Sequence, residues 1–452
     1  MKTFQSINPY NQQLIAEYPA LNDAELDNVL SQSAAAYRLW CKTSFAERAE
    51  ILLNMAKLLR ERKEELAQLI TAEMGKILPE SRAEIEKSAG NCDFYAHNAE
   101  KMLRDEHFDV PGQQSRVVYD PTGCVFAIMP WNYPFWQVLR YAAPALMAGN
   151  VSILKHAPNV LGCAKAIEAL FLEAGLPEGC FQSIVIDIPQ VERVIAADIV
   201  QGVTLTGSEL AGSSVAALAG KHIKKTVLEL GGSDPFIVLA DADIYKAAKI
   251  ATTSRMMNAG QACICAKRFM VQSSVYESFI EKFEDNIAML TQGDPTQEGI
   301  SMGPLARLDL AQNLDRQLHQ TLKQGAQLVL GGSHEKCNFQ PTLLTNIQSD
   351  MTAFQEETFG PMATVLSFET EQDAIDIANN HRYGLATSLW TEDRDRAYHI
   401  ARQLETGNVF VNGMVRSDSR LPFGGAKKSG YGRELSTIGM KEFMNMKTVV
   451  IE

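Results

Sequence analysis

Cys263 lies in the run NAGQACICAKR (258–268). A cysteine there is a candidate nucleophile, because Gly260 permits an unusual turn before it and Gln261 brings amide donors. The reading places Cys263 at a loop-to-helix junction, where a helix dipole lowers a thiol pKa from about 8.5. Taken alone, a single cysteine is more often a small buried hydrophobe. Three other segments shift that balance. VLELGG carries Glu229 at the end of an apolar run, where a carboxylate is costly unless it works or is paired. It is a candidate base for activating water, or else a buried salt-bridge partner. IMPWNYP carries Asn132 just past another apolar run, and its amide can donate to a developing oxyanion; in isolation it reads as a turn residue. EETFGP carries Glu357 and Phe359, a possible clamp on a ribose and a ring, or a solvated charge and a core aromatic.

These residues need a scaffold. From Gly123 short apolar runs alternate with helical stretches: CVFAIM (124–129), VSIL (151–154), SIVI (183–186), VTLT (203–206), TVLEL (226–230) and FIVL (236–239). That rhythm predicts a mainly parallel sheet with helices on both faces, which binds ligands at the C-terminal strand ends. A second α/β set is expected from about residue 268, with strands RFMVQ, QLVL, ATVLSF, LATSLW and NVFVN. The first hundred residues read as helical. Ser44 and Glu47 form a candidate capping box ahead of Ile51, Met55, Leu58 and Leu59 on one face, and a shorter helix is expected over Asp23 to Leu39. The segment 106–123 fits neither core, and KTVVIE at the end reads as a strand without a partner in sequence. Such a hairpin and strand can pair with another subunit, or form a surface hairpin and a frayed tail. No G-x-G-x-x-G is present. The glycine-rich turn that comes nearest is TGSELAG (206–212), where Gly207 and Gly212 let a phosphate approach a helix N-terminus.

Composition narrows the function classes. A chain of 452 residues implies two or three domains. The 46% hydrophobic and 21% charged fractions argue against disorder, and the net charge of −12 argues against a nucleic-acid or anionic-membrane partner. The N-terminal stretch shows no signal core or transit-peptide pattern, and no apolar run approaches membrane-spanning length, so a cytoplasmic location is expected. The eight cysteines are scattered apart from Cys263-x-Cys265, and the eight histidines form no HxH or HExxH pair, so no metal is expected.

Together PWNYP, ILK, TGSELAG, LELGG, NAGQACICAKR, EETFGP and PFGGAKKSGYGRE (422–434) resemble the aldehyde dehydrogenase superfamily over essentially the whole chain, in order and spacing. The resemblance implies an α/β fold in three parts. Residues 1–105 and 122–231 would form a Rossmann-like cofactor domain and 232–431 a catalytic domain. Residues 106–121 and 432–452 would form an oligomerisation arm of a homodimer or dimer of dimers. It implies Cys263 as nucleophile, Asn132 with the Cys263 N–H as oxyanion hole, and Glu229 as base for thioester hydrolysis. Trp131, Lys155, Gly207, Ser208, Glu357 and Phe359 would hold NAD or NADP. NAD-preferring members often carry a glutamate three residues after the lysine of ILK; here Pro158 stands there, with His156 and Asn159 beside it to tolerate a 2′-phosphate, so both cofactors are expected.

Within the family, LKHAPN, LELGGSDPF and KKSGYGRELS look most like the shorter bacterial semialdehyde dehydrogenases of the succinate-semialdehyde branch. That branch holds a substrate carboxylate with an arginine and a serine at about the positions of Arg140 and Ser417. A further arginine common there is replaced by Met257, with Arg255 two residues earlier; Arg416 and Arg420 are possible substitutes. Cys265 resembles the second cysteine of a redox pair that blocks the nucleophile, or is a packed neighbour. The competing readings are a general aliphatic or other semialdehyde dehydrogenase, a coenzyme A-acylating enzyme, which tends to lack the base at Glu229, and a non-catalytic binding protein on this fold.

Overall fold

The computed structural model describes residues 2–452. The chain does not open as helix. Thr3–Ile7 and Leu14–Pro19 pair antiparallel, because Asn8 turns the chain by accepting the Tyr10 and Asn11 N–H groups through its side chain. Four helices follow: Asp23–Trp40, Phe45–Glu61, Lys63–Met74 and Leu78–Met102. The Ser44–Glu47 capping box forms as expected, and Asn22 with Glu25 builds another at the helix before it. Each such cap is worth about 1 kcal/mol. The first helix, at 18 residues, is not the shorter of the two.

Two sheets carry the molecule. The first has strand order Gly430–Tyr431, Lys225–Glu229, Val200–Thr206, Cys124–Met129, Val151–His156, Phe181–Ser183. All neighbours are parallel except Gly430–Tyr431, which returns antiparallel against Lys225–Glu229. The strand order reverses between Cys124–Met129 and Val200–Thr206, so the loops after Met129 and Thr206 flank a switch-point crevice, where open α/β sheets bind ligands. The second sheet has order Gln327–Leu330, Thr342–Thr345, Met362–Phe368, Ala266–Gln272, Asp234–Val238, Ala386–Trp390, Asn408–Val411. Its pairs are parallel except the first.

Two strand expectations are corrected and one strand is added. SIVI is a strand only at Ser183, because the chain pairs at Phe181–Ser183 and then leaves the sheet. FIVL does not continue the first sheet but forms the middle of the second, between Ala266–Gln272 and Ala386–Trp390. Thr342–Thr345, four buried residues, is a strand the apolar pattern did not single out. The terminal strand also finds its partner within the chain. Met444–Ile451 pairs antiparallel with Gln113–Pro121, which pairs with Glu106–Val110.

One apolar core packs the opening helices against the first sheet, and two further clusters cover the two faces of the second. Among the described residues no helix is long and apolar enough to cross a membrane.

Candidate active site

Cys263 sits in a turn between a short 3-10 segment, Met257–Gly260, and the strand Ala266–Gln272. No helix follows it, so the expected helix-dipole activation is absent. Burial instead pushes its thiol up to about 12; Lys267 and Arg140 pull the other way. The turn depends on left-handed backbone at Asn258, Ala259 and Gly260, with φ of 52°, 51° and 71°. At Gly260 a side chain would also overlap the Gly360 carbonyl, so glycine is required twice over.

Gln261 does not face the site as a donor. Its amide braces the loop, donating to the Asn258 carbonyl at 3.1 Å and accepting from the Ala306 N–H at 2.8 Å. Asn132 is joined to the same loop. Its Nδ2 donates to the Gln261 carbonyl at 3.0 Å, and its carbonyl accepts from Asn258 Nδ2 at 2.9 Å. Asn132 is thus locked two residues from the nucleophile, with one amide hydrogen left to donate.

Glu229 ends its strand, buried, with Oε1 lacking a partner. Burial, reinforced by the nearby Glu434 carboxylate, holds its pKa well above the usual carboxylate range. A raised pKa makes the ionised form a stronger base. Its backbone carbonyl accepts from the Gly207 N–H at 3.0 Å, which ties the base to the glycine turn. Ser208 caps the following helix, Glu209–Lys221, accepting from the Ala211 N–H.

Glu357 binds the Gly232 N–H at 3.0 Å and Lys267 Nζ at 3.3 Å, while Lys267 donates to the Cys263 carbonyl at 2.7 Å. Trp131 and Phe359 meet edge to face, ring centroids 5.6 Å apart. The catalytic and most of the cofactor candidates therefore form one connected region. Lys155 lies apart, in a cavity of about 200 Å³ shared with Pro158 and Asp187. His156 also lines this cavity, but its ring nitrogens are engaged with backbone. It is buried, its Nε2 lies 2.9 Å from the Pro134 carbonyl, and desolvation lowers its pKa to about 4. Asn159 is buried as well.

A second cavity, of about 210 Å³, holds Cys263 together with Arg140, Ser417, Met257 and Arg416. Arg140 is buried and ion-paired with Glu434, and donates to Thr206 Oγ1 at 3.3 Å. Arg255 is fully buried and spent on the carbonyls of Thr358, at 2.8 Å, and Gly360. Arg420 is held by Asp418. Cys265 is buried, its Sγ 3.8 Å from the Met257 carbonyl.

The sequence reading missed the residues that hold this cavity, which come from the helix Leu78–Met102. Glu80 accepts the Asn258 N–H. Glu84 accepts the Phe135 N–H at 2.8 Å and the Trp136 N–H at 3.0 Å, and pairs with the buried Lys76. Lys87 donates to Ser417 Oγ at 2.7 Å, and Asn91 Nδ2 to the Leu139 carbonyl at 3.0 Å. The available signal was the spacing 80, 84, 87, 91, which puts polar groups on one helical face.

The sequence profile of the aldehyde dehydrogenase family matches residues 1–449. The chain belongs to the aldehyde dehydrogenase family. It is 45% identical to Escherichia coli succinate semialdehyde dehydrogenase [NAD(P)+] Sad over 98% of this chain and 97% of that one. It is also 45% identical to a probable succinate-semialdehyde dehydrogenase [NADP(+)] of Synechocystis, over 99% of each. A crystal structure of succinic semialdehyde dehydrogenase from Streptococcus pyogenes in complex with NADP+ superposes with a TM-score of 0.97 at 36% identity, covering 99% of both chains.

Proposed function

We propose that this aldehyde dehydrogenase oxidises succinate semialdehyde to succinate, with NAD or NADP as hydride acceptor. The observation that carries the substrate is the cavity of about 210 Å³, in which Cys263 shares one space with Ser417 and the basic side chains Lys87, Arg140 and Arg416, while its two carboxylates, Glu80 and Glu84, are already held by partners. An aldehyde with a carboxylate at its far end presents its carbonyl to the thiol and its charge to the basic wall. The relatives named above carry the same substrate in their names.

Cys263 Sγ gives its proton to a water of the cleft and bonds to the aldehyde carbon, and the oxygen takes up the negative charge beside the Asn132 amide. Donors already in place gain most when that charge develops in a site poor in water. Loss of hydride from this thiohemiacetal leaves a thioester on Cys263. Glu229 removes a proton from water, which adds to the thioester carbon and expels the thiolate. The switch-point crevice is where a dinucleotide would bind: Gly207 and Ser208 open the helix Glu209–Lys221, where a phosphate is favoured, Trp131, Glu357 and Phe359 would hold it on the side of Cys263, and Lys155 would reach it from its own cavity. A bound NAD or NADP supplies the hydride acceptor. Asp187 is the carboxylate that lines the Lys155 cavity, and it is occupied by Lys2 at 2.8 Å. Little therefore repels a 2′-phosphate, in keeping with use of both cofactors.

The division into a cofactor domain (1–105 and 122–231), a catalytic domain (232–431) and an arm is part of this proposal. So is assembly as a homodimer or dimer of dimers through the three-stranded arm, whose edges expose Phe108, Val450 and Ile451. Eight free thiols suit a reducing, cytoplasmic setting.

Initial rates on succinate semialdehyde, butyraldehyde and glutarate semialdehyde, each with NAD and NADP, test the proposal. A preference of about tenfold or more in kcat/KM for succinate semialdehyde over butyraldehyde corresponds to ~1.4 kcal/mol from the carboxylate. Equal rates would reduce the assignment to a general aldehyde dehydrogenase.

A further inference from the structure

The cavity that holds Cys263 is lined by five charged side chains: Glu80, Glu84, Lys87, Arg140 and Arg416. Their partners differ. Arg140 faces Glu434 at close range, both nearly free of solvent, so its charge is already matched. Glu84 is matched by Lys76 and by two backbone N–H groups. Glu80 is held by the Asn258 N–H, and burial raises its pKa. Arg416 is exposed and reaches the rim from a loop. Lys87 stands apart. Like Arg416 it forms no ion pair among the described residues, but unlike Arg416 it is fixed inside the cavity by two contacts. Its Nζ donates to the neutral Ser417 hydroxyl at 2.7 Å and lies 4.1 Å from the Trp136 ring centroid.

That arrangement fixes a cation by a hydroxyl and an aromatic face while leaving its charge unmatched. An ammonium has three donors, and one is used by Ser417. The side chain is open to the water of the cleft, so an anion entering the cavity reaches the remaining donors without breaking a salt bridge. The Ser417 hydroxyl, while accepting from Lys87, keeps its own hydrogen to donate to the same anion.

We propose that Lys87, paired with Ser417, is the group that binds the substrate carboxylate in this chain. Lys87 thereby supplies the charge that Met257 cannot. Arg140, its charge shared with Glu434, lines the same cavity behind it, and the ligand class is an aldehyde carrying a terminal carboxylate. This rests on the substrate reading above, but the two fail separately.

Enclosure by the cleft walls, which strips part of the ammonium's hydration although the side chain still reaches water, and the neighbouring Arg140 lower the Lys87 pKa to about 8, against the pull of Glu84, Asp418 and Cys263. The carboxylate preference of the unmodified enzyme is therefore expected to fall as pH rises beyond that value, since the ammonium loses its charge while the substrate keeps its own. Cys263 acts on both substrates, so its titration cancels in the ratio.

The experiment compares kcat/KM for succinate semialdehyde and for butyraldehyde in the wild type, Lys87→Met and Lys87→Arg. The wild-type ratio near pH 7 tests the substrate reading by itself; a ratio near one sinks that reading. Given a wild-type preference, Lys87→Met is expected to lower the ratio by about 10- to 100-fold, the scale of a hydrogen bond to a charged group. The loss should fall mainly on KM for succinate semialdehyde, with Lys87→Arg keeping most of the preference. An unchanged ratio in Lys87→Met, or equal losses on both substrates, would overturn the assignment while leaving the substrate reading intact. Should Lys87→Met not fold, the wild-type ratio measured from pH 7 to 10 decides the point. A fall supports Lys87, and a flat ratio overturns it.

Discussion

Arg140→Met should destabilise this protein far more than the loss of a surface arginine would. Arg140 and Glu434 are ion-paired with side chains 3% and 4% exposed. The guanidinium also donates to Thr206 and packs over Phe423. Removing one partner of a pair this buried costs about 3–5 kcal/mol, because the remaining charge has neither water nor counter-ion. Here the penalty is sharpened by Glu229, whose carboxylate already feels Glu434. The cost carries a pH signature. Burial raises the Glu434 pKa and Arg140 opposes that rise, so the variant raises it further. Above the unfolded carboxylate range the folded variant then holds a proton that the unfolded chain has lost, and stability falls as pH rises through that window. Urea unfolding followed by tryptophan fluorescence, at one fixed protein concentration, should show a smaller deficit at pH 5.5 than at pH 8. Adding Glu434→Gln should recover most of it. A loss below ~1 kcal/mol, the range of exposed pairs, or a deficit that ignores pH, would refute the reasoning.

Three further outcomes are expected. Asn132→Ala should lower kcat by about 10²–10³, the usual cost of one oxyanion donor, with folding preserved in circular dichroism. Glu229→Gln should let the acyl-enzyme accumulate, seen as an NADH burst followed by a slow steady state. In the wild type the hydrolytic step should speed up as pH rises through a window above the usual carboxylate range, because burial and Glu434 raise the Glu229 pKa; a rate of acyl-enzyme breakdown that is independent of pH from 5 to 9 would count against Glu229 as the base. For Cys265, we propose a reversible disulfide with Cys263 under peroxide. Recovery with dithiothreitol should then disappear in Cys265→Ala, and recovery that persists there would exclude the pairing.

Much of the scaffold was legible because apolar runs of strand length alternate with crossover segments, so CVFAIM and its neighbours announced a parallel sheet. What local pattern cannot encode is which sheet a strand joins. FIVL looks like the next strand of the first sheet, yet its partners come from residues 266–272 and 386–390. The terminal strand pairs with a segment more than three hundred residues earlier. The environment of Cys263 was likewise invisible, since whether a turn leads into a helix or a strand depends on the ladder waiting for it. Its thiol pKa follows from that burial.

The sequence by itself determined the chemistry. Cys263 after Gly260, Asn132 after Pro130 and Glu229 before Gly231 each keep a bland reading alone, but their motifs in order and spacing resemble a family that works by acyl transfer through sulfur. Tertiary structure alone decided which charges are free. Arg140, Arg255 and Arg420 read alike in the sequence, but one is paired with Glu434, one is consumed by backbone carbonyls and one is held by Asp418. Lys87, on a helix that seemed only structural, keeps its charge for a ligand. Free charge is a property of neighbours at three or four ångströms, and those neighbours are brought together only when the chain closes on itself.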